Sequence, residues 1–172
     1  FIDDKRKTNP NVKVSTPYIQ RPLDLYLRHE LSIDPHEPLS SNHAPRYARW
    51  KFIYESLPEK PKVIESYPKH TVESLYAQIS QMKSHVEKYR KLHEEGKKNR
   101  KLILEKLQDS RLIFIKDADV EVAIQHIEVF DALMSAMTGK FFEEGYCLKP
   151  PLDILLNSWP ALVGTFPMTS SK

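Results

Sequence analysis

Cysteine, glycine and long apolar runs are scarce in this sequence of 172 residues. A single cysteine, Cys147, excludes an internal disulfide framework and any zinc site built from several cysteines. The four glycines lie in neither a phosphate-binding pattern nor a nucleophile elbow, which excludes the common nucleotide-binding loops and those hydrolase motifs. Every apolar run is far shorter than the roughly 20 residues that span a bilayer, so we expect no membrane span.

The same absences bear on the cellular compartment. The sequence has one cysteine and no Asn-x-Ser/Thr glycosylation acceptor. This favours an intracellular, reducing compartment, and we expect the nucleus or the mitochondrion rather than secretion. The first residue is Phe1 rather than Met, which indicates a processed form or a fragment. A cleaved transit peptide would leave such a start.

Proline is abundant only at the beginning of the chain. Residues 1–69 hold nine of the thirteen prolines and no glycine. Because proline interrupts helices and extends the preceding residue, we predict an extended Pro-rich arm over 1–69. Short helices are predicted within it at 21–32 and 44–57. The arm is rich in aromatic residues, so we expect it to wrap over its own helices or over a partner.

An apolar seam with alternating spacings of three and four residues follows the arm. It predicts a helix with a coiled-coil-like stripe formed by Val72, Leu75, Ile79, Met82, Val86 and Tyr89. Thr71 is the predicted N-cap. Past the seam, Gly96 occupies a core position, and we favour a turn at 94–99 over one continuous helix. The stripe packs either within the chain or against another copy in a homo-oligomer.

The remaining pattern completes a mainly α fold. Residues 110–116 are predicted as a short strand or a buried helical turn. A third helix is predicted at 119–138, capped by Asp117 and Asp119 and ended by Gly139. We therefore predict a small helical bundle, in which a hairpin of 70–95 and 98–109 packs against 119–138. The helical domain would cover 70–163, with a flexible tail at 164–172.

The net charge of +3 is unevenly distributed along the chain. Residues 83–106 have a local net charge of +5, and residues 117–145 have −6. The separation indicates two faces that meet within the fold or two different partners. The basic stretch supports an alternative function, in which a nucleic-acid-associated subunit contacts RNA or DNA phosphates. Its candidate residues are Lys88, Arg90, Lys91, Lys97, Lys98, Arg100 and Lys101.

The histidine and aspartate groups that could bind a metal ion have simpler structural interpretations. His29, His36 and His43 are interrupted by prolines, so we expect scattered surface histidines rather than a metal site. Asp117 and Asp119 lack the central glycine of a calcium loop and are better explained by helix capping. No spacing indicates a catalytic triad. We expect no cofactor, no metal and no enzymatic activity, with a small helical enzyme as the residual alternative.

The leading hypothesis is a non-enzymatic scaffold or adaptor subunit of a larger intracellular assembly. It would act through protein–protein contacts, because aromatic residues dominate interface energetics and the chain has several outside the seam. The candidate partner-binding residues are Tyr18, Leu25, Tyr26, Tyr47, Trp50 and Trp159.

Overall fold

The computed structural model describes residues 21–30, 44–80, 88–147 and 150–153. Their regular secondary structure is six α-helices without a strand, which confirms the mainly α class. The described residues divide into two compact units. The first unit contains residues 21–30, 44–61 and 152–153, and the second contains 62–80, 88–147 and 150–151. The predicted tail at 164–172 lies outside the described residues.

The first unit contains two helices, α1 (Pro22–Glu30) and α2 (Ala44–Ser56). Both fall within the predicted ranges. Pro22 opens α1, where its missing N–H costs no helical hydrogen bond. The buried Asp24 carboxylate accepts hydrogen bonds from the Arg21 backbone N–H at 2.9 Å and from the Arg21 side chain at 2.6 Å. An acidic residue at the third helical position thus satisfies a backbone donor at the start of α1.

The second unit contains four helices that share one apolar core. They are α3 (Pro68–Ser80), α4 (Glu94–Asp109), α5 (Asp117–Gln125) and α6 (Ile127–Glu143). α3 packs against α4 and α6, and α5 also packs against both of these helices. The buried apolar members of the core are Val72, Leu75, Tyr89, Ile103, Leu104, Leu107, Ala123, Ile124, Phe130, Met134 and Met137.

The predicted turn at 94–99 is wrong, because α4 begins at Glu94 and includes this whole range. The non-helical chain before α4 is residues 88–93, with a tight turn closed by Lys91 N–H donating to Lys88 O at 3.1 Å. Gly96 ends no helix. A Cβ at this position would overlap the Lys91 carbonyl oxygen and lie 2.7 Å from the Lys91 carbonyl carbon. Glycine is needed here because two backbone segments approach closely.

The third predicted helix is two helices, and its predicted end is also wrong. The helix is interrupted at His126, whose φ of −115° and ψ of 113° are extended. Gly139 lies inside α6, and the turn that follows α6 uses Gly145 at φ +82° instead. Lys116, not an aspartate, is the N-cap residue of α5. Asp117 and Asp119 occupy the first turn, where they complement the helix dipole.

Two further expectations differ from the structure. Thr71 lies inside α3 rather than at its N-cap, and its backbone N–H donates to Tyr67 O at 3.0 Å. Residues 110–112 form a turn, and residues 113–116 are irregular and pair with no strand among the described residues, so neither the strand nor the helical turn predicted for 110–116 is present. Arg111, at φ +58°, turns the chain from α4 into this irregular segment.

Candidate interaction surfaces

α2 exposes large apolar side chains and buries none of its thirteen residues. Phe52 is 72% exposed, Ile53 is 52% exposed and Trp50 is 41% exposed. Trp50 and Ile53 are three residues apart, which places them on one side of α2, and Leu57 follows directly after its last residue. The α2 surface is defined here by these apolar residues and the exposed basic residues beside them: Arg46, Arg49, Trp50, Lys51, Phe52, Ile53 and Leu57.

Side-chain contacts within the first unit hold part of this surface in place. The rings of Trp50 and Tyr54 stack with centroids 5.5 Å apart and planes 12° apart. Lys60 Nζ lies over the Tyr54 ring, 5.5 Å from its centroid and within cation–π distance. Lys51 pairs with Glu55 at 3.8 Å, an exposed contact of little energetic weight. The aromatic side chains are therefore partly ordered before any partner binds.

The predicted partner-binding residues have different environments. Trp50 is exposed and Tyr47 is half-buried, both on α2. Leu25 is only 4% exposed, so it stabilises α1 and offers no docking surface. Tyr26 is half-buried, and burial followed by the charge of Glu30 raises the pKa of its hydroxyl. Tyr18 and Trp159 lie outside the described residues.

The residues of the predicted seam are not all on one helix. Val72 and Leu75 are buried on α3, and Ile79 lies on the same helix. Tyr89 is also fully buried, but it lies in the turn before α4 rather than on a continuation of α3. Its ring packs against Phe130, with centroids 5.1 Å apart, so burial in the core explains its apolar spacing. Met82 and Val86 lie outside the described residues.

Most of the basic side chains in the predicted nucleic-acid-binding stretch form ion pairs with acidic neighbours. Lys88 and Lys91 both bind Glu95, at 2.9 and 2.8 Å. Hydrogen bonds from Lys91 and then Lys88 lower the pKa of the Glu95 carboxyl to about 2. Three more pairs follow the same pattern: Arg90–Asp131 at 2.8 Å, Lys97–Glu94 at 2.9 Å and Lys101–Glu105 at 3.9 Å. Among the described residues, only Lys98 of this set is exposed without an ion pair.

Arg100 is buried and cannot present its charge to a phosphate. Its guanidinium donates to the carbonyl oxygens of Ile124 at 2.7 Å, Tyr89 at 2.6 Å and Lys91 at 3.3 Å. These carbonyls belong to the end of α5 and to the turn before α4. Burial lowers the pKa of Arg100, although an arginine stays charged. Arg100 therefore links three segments, and we remove it from the nucleic-acid-binding set.

Tyr89, Arg90 and Asp131 form a polar group beside Arg100. The Tyr89 hydroxyl donates to Asp131 Oδ1 at 3.2 Å, and Arg90 Nη2 donates to Asp131 Oδ2 at 2.8 Å. Burial, and then the charge of Asp131, raises the pKa of the Tyr89 hydroxyl well above its ordinary value. The hydroxyl therefore stays protonated and acts as a fixed donor. The Arg90–Asp131 ion pair joins the basic region to the acidic region.

Hydroxyl groups also join α3, and the chain just before it, to α6. Thr71 Oγ1 and Thr138 Oγ1 are both buried and lie 2.7 Å apart. Ser66 Oγ donates to Ser135 Oγ at 2.9 Å, and the buried Cys147 thiol donates to Thr138 O at 3.5 Å. Cys147 is thus a buried thiol that packs against α6.

The described residues form neither a metal cluster nor a membrane-spanning helix. No group of three or more His, Cys, Asp or Glu side chains there could hold a metal ion. His29 lies on α1, whereas His36 and His43 are outside the described ranges. None of the helices in these ranges has the length and apolar character needed to cross a membrane.

Comparison of the chain with protein-family models, with curated proteins and with solved structures finds no match.

Proposed function

We propose that this chain is a non-enzymatic scaffold or adaptor subunit that docks on a protein partner through the α2 surface. The supporting observation is that α2 buries no residue yet exposes Trp50, Phe52 and Ile53. A helix of 13 residues with no buried face is marginal in water, because most helical stability in proteins comes from packing. Contiguous exposed apolar side chains mark interaction sites, and Trp and Arg are the residues that most often dominate them.

The charge of α2 indicates what the partner presents. α2 carries Arg46, Arg49 and Lys51 against one acidic residue, Glu55. Its first turn has no acidic residue but contains Arg46, and a positive charge there is unfavourable next to the helix dipole. Carboxylates of a partner near the start of α2 would relieve this repulsion. The proposed partner surface is thus an apolar groove with acidic residues at one end.

The second unit supplies the rigid part of the scaffold in this proposal. Its helices share one core, and the buried Arg100 side chain joins the turn before α4 to the end of α5. Buried networks in which every polar group is satisfied favour a single arrangement of the chain. A unit held in a single arrangement suits an adaptor role.

The nucleic-acid alternative has less support than docking through α2. Of its seven candidate residues, Lys88, Arg90, Lys91, Lys97 and Lys101 are ion-paired and Arg100 is buried. Phosphate binding would have to displace the carboxylates from these pairs. This lowers the electrostatic gain on which nonspecific nucleic-acid affinity depends.

The test is purification of the native complex with the wild-type chain and with the double variant Phe52→Ser, Ile53→Ser. Leu92→Ser is the matched control, because Leu92 is 78% exposed and lies in the second unit. We expect the double variant to lose the copurifying protein by at least about tenfold at unchanged helicity, since truncating buried interface anchors commonly costs over 1 kcal/mol each. The control should retain it.

Salt separates this proposal from phosphate-driven binding. An apolar interface should persist as salt rises from about 50 to 200 mM, whereas phosphate contacts weaken steeply over this range. Retention of the same partner by the double variant, or loss of the partner by Leu92→Ser alone, would contradict docking through α2.

A further inference from the structure

The two arginines of α2 have no acidic partner within the described part of the chain. Arg46 and Arg49 are exposed, and neither side chain forms an ion pair or a hydrogen bond there. The third basic residue of α2, Lys51, is paired with Glu55 at 3.8 Å. α2 therefore presents two guanidinium groups that are available to an anionic partner.

These arginines share one face of α2 with its two most exposed apolar side chains. Arg49 is three residues before Phe52 and four before Ile53, and Arg46 is three residues before Arg49. Residues at these spacings are neighbours on a helix surface. The open face of α2 is defined here as Arg46, Arg49, Phe52 and Ile53. Its N-terminal half is basic and its C-terminal half is apolar.

The side of α2 away from the open face is covered. Tyr47 and Tyr54 lie seven residues apart on that side, and both are half-buried. Trp50 stacks on the Tyr54 ring, and Lys60 lies over the same ring. Lys60 Nζ also donates to the Glu55 carbonyl oxygen at 3.1 Å. A partner therefore reaches α2 from the open face.

We propose that the open face binds an acidic protein segment, with carboxylates on both arginines and an apolar side chain against Phe52 and Ile53. This inference rests on the proposed function and names the chemistry of its partner. Arginine can bind a carboxylate through two parallel hydrogen bonds, so two arginines fix the direction of the bound segment. The face extends about 10 Å along the helix axis, which two turns of a partner helix would span.

The composition of the open face favours carboxylates over phosphates. Nucleic-acid affinity depends on how many phosphates are neutralised, and α2, which the structure describes throughout, offers two unpaired cations. Polybasic sites for anionic lipids hold roughly four to eight basic residues. Helices that lie in a membrane surface place their basic residues opposite the apolar face. On α2 the unpaired arginines lie beside Phe52 and Ile53 instead.

The first experiment selects ligands from a random peptide library displayed on phage, with the full chain as the target. We expect the enriched peptides to share two or more Asp or Glu residues and one bulky apolar residue. The Arg46→Gln, Arg49→Gln double variant should not enrich acidic peptides. Enrichment of peptides without carboxylates, or of the same acidic peptides by the double variant, would overturn the proposal.

Arg49→Gln and Lys51→Gln are a matched pair, because each removes one positive charge from α2. Trp159→Phe leaves Trp50 as the only tryptophan, so its fluorescence reports binding of the most enriched peptide. We expect Arg49→Gln to weaken this binding at least about tenfold, because hydrogen bonds between charged groups are lost. Lys51→Gln should stay within about threefold of wild type. Equal losses would show that the charge of α2, rather than its open face, attracts the peptide, and would overturn the proposal.

Titrations with two phosphate-bearing ligands test the chemical class of the partner. The ligands are vesicles of phosphatidylserine and phosphatidylcholine in equal parts and a duplex DNA oligonucleotide. At about 150 mM salt, where exposed charges are largely screened beyond about 8 Å, we expect both to bind more weakly than the enriched peptide. Tighter binding of either ligand that is lost in Arg49→Gln would assign the open face to phosphates and overturn the proposal.

The failure of this inference differs from the failure of the proposed function. Retention of the native partner by the Phe52→Ser, Ile53→Ser variant contradicts docking through α2 altogether. Loss of the partner in that variant, but full retention by the Arg46→Gln, Arg49→Gln variant, would leave α2 as the docking helix and overturn only the acidic character of its partner.

Discussion

α2 and α4 are helices of similar length, 13 and 16 residues, with opposite relations to a core. α2 contains a tryptophan, a phenylalanine, two tyrosines and an isoleucine, and it buries no residue. α4 is mostly charged, yet it buries six residues, among them Ile103, Leu104, Leu107 and the long polar side chain of Arg100. Apolar content therefore does not decide which helix carries stability. A helix contributes stability when its apolar residues face neighbouring helices and its buried polar groups have hydrogen-bond partners.

Gly96→Ala should have the largest effect on the free energy of unfolding, because it disturbs the packing of α4, the helix that contributes to the core. The added Cβ would overlap the Lys91 carbonyl oxygen, so the turn at 88–93 must move. We expect a loss of about 3 kcal/mol or more in the free energy of unfolding, at the upper end of overpacking effects. Urea denaturation monitored by circular dichroism measures it.

Gly139→Ala is the matched control for that variant. Gly139 also lies inside a helix, but its nearest neighbour to an added Cβ is Ile64 Cδ1 at 4.0 Å, an ordinary contact. Because alanine favours the helix by about 1 kcal/mol over glycine, we expect this variant to be as stable as wild type or more so. Equal losses for the two variants would show that the close approach at Lys91 is not the cause.

Arg100→Met should have the second largest effect. The variant keeps much of the side-chain volume but leaves the carbonyls of Tyr89 and Ile124 without their donor in a buried place. We expect a loss of about 2–4 kcal/mol in the free energy of unfolding, because each unsatisfied buried group costs about 1–3 kcal/mol. Lys98→Met, an exposed change on the same helix, should stay within about 0.5 kcal/mol of wild type. A small effect at Arg100 would show that water or a rearranged turn replaces the guanidinium.

Ile53→Ser should have the smallest effect on folding and so sharpen the contrast between the two helices. Ile53 is 52% exposed on a helix with no buried residue, so little apolar area returns to water in the unfolded chain. We expect a change under about 0.5 kcal/mol in the free energy of unfolding. A loss above about 2 kcal/mol, typical of a core truncation, would show that α2 is a packed helix and would remove the basis of the proposed docking surface.

Local signals were sufficient where a helix depends on its own residues. Pro22 predicted the start of α1, and the interval between prolines predicted α2. The helix predicted at 119–138 contains the core residues Phe130, Met134 and Met137, and Val72 and Leu75 of the predicted seam are also buried in the core. These assignments succeeded because capping and periodicity act over one or two turns of chain.

Local signals failed where distant segments meet. His126 has no proline or glycine beside it, yet the helix breaks there, next to the Ile124 carbonyl that accepts from Arg100. Gly96 is a residue type that commonly ends helices, but its role here depends on the Lys91 backbone, which lies against α4. Arg100 resembles the other basic residues in sequence and differs from them only in burial. No local pattern in the sequence predicts any of these contacts, because each one depends on a segment that is distant along the chain.

The α2 surface is the clearest case of this division. The sequence by itself determined that α2 is a helix with an aromatic stripe beside arginines, because proline boundaries and spacing are local properties. Only the tertiary structure decided that the stripe stays exposed while the charged α4 buries six of its residues. The physical reason is that burial depends on which segments pack against a helix, and that choice is made by the whole chain.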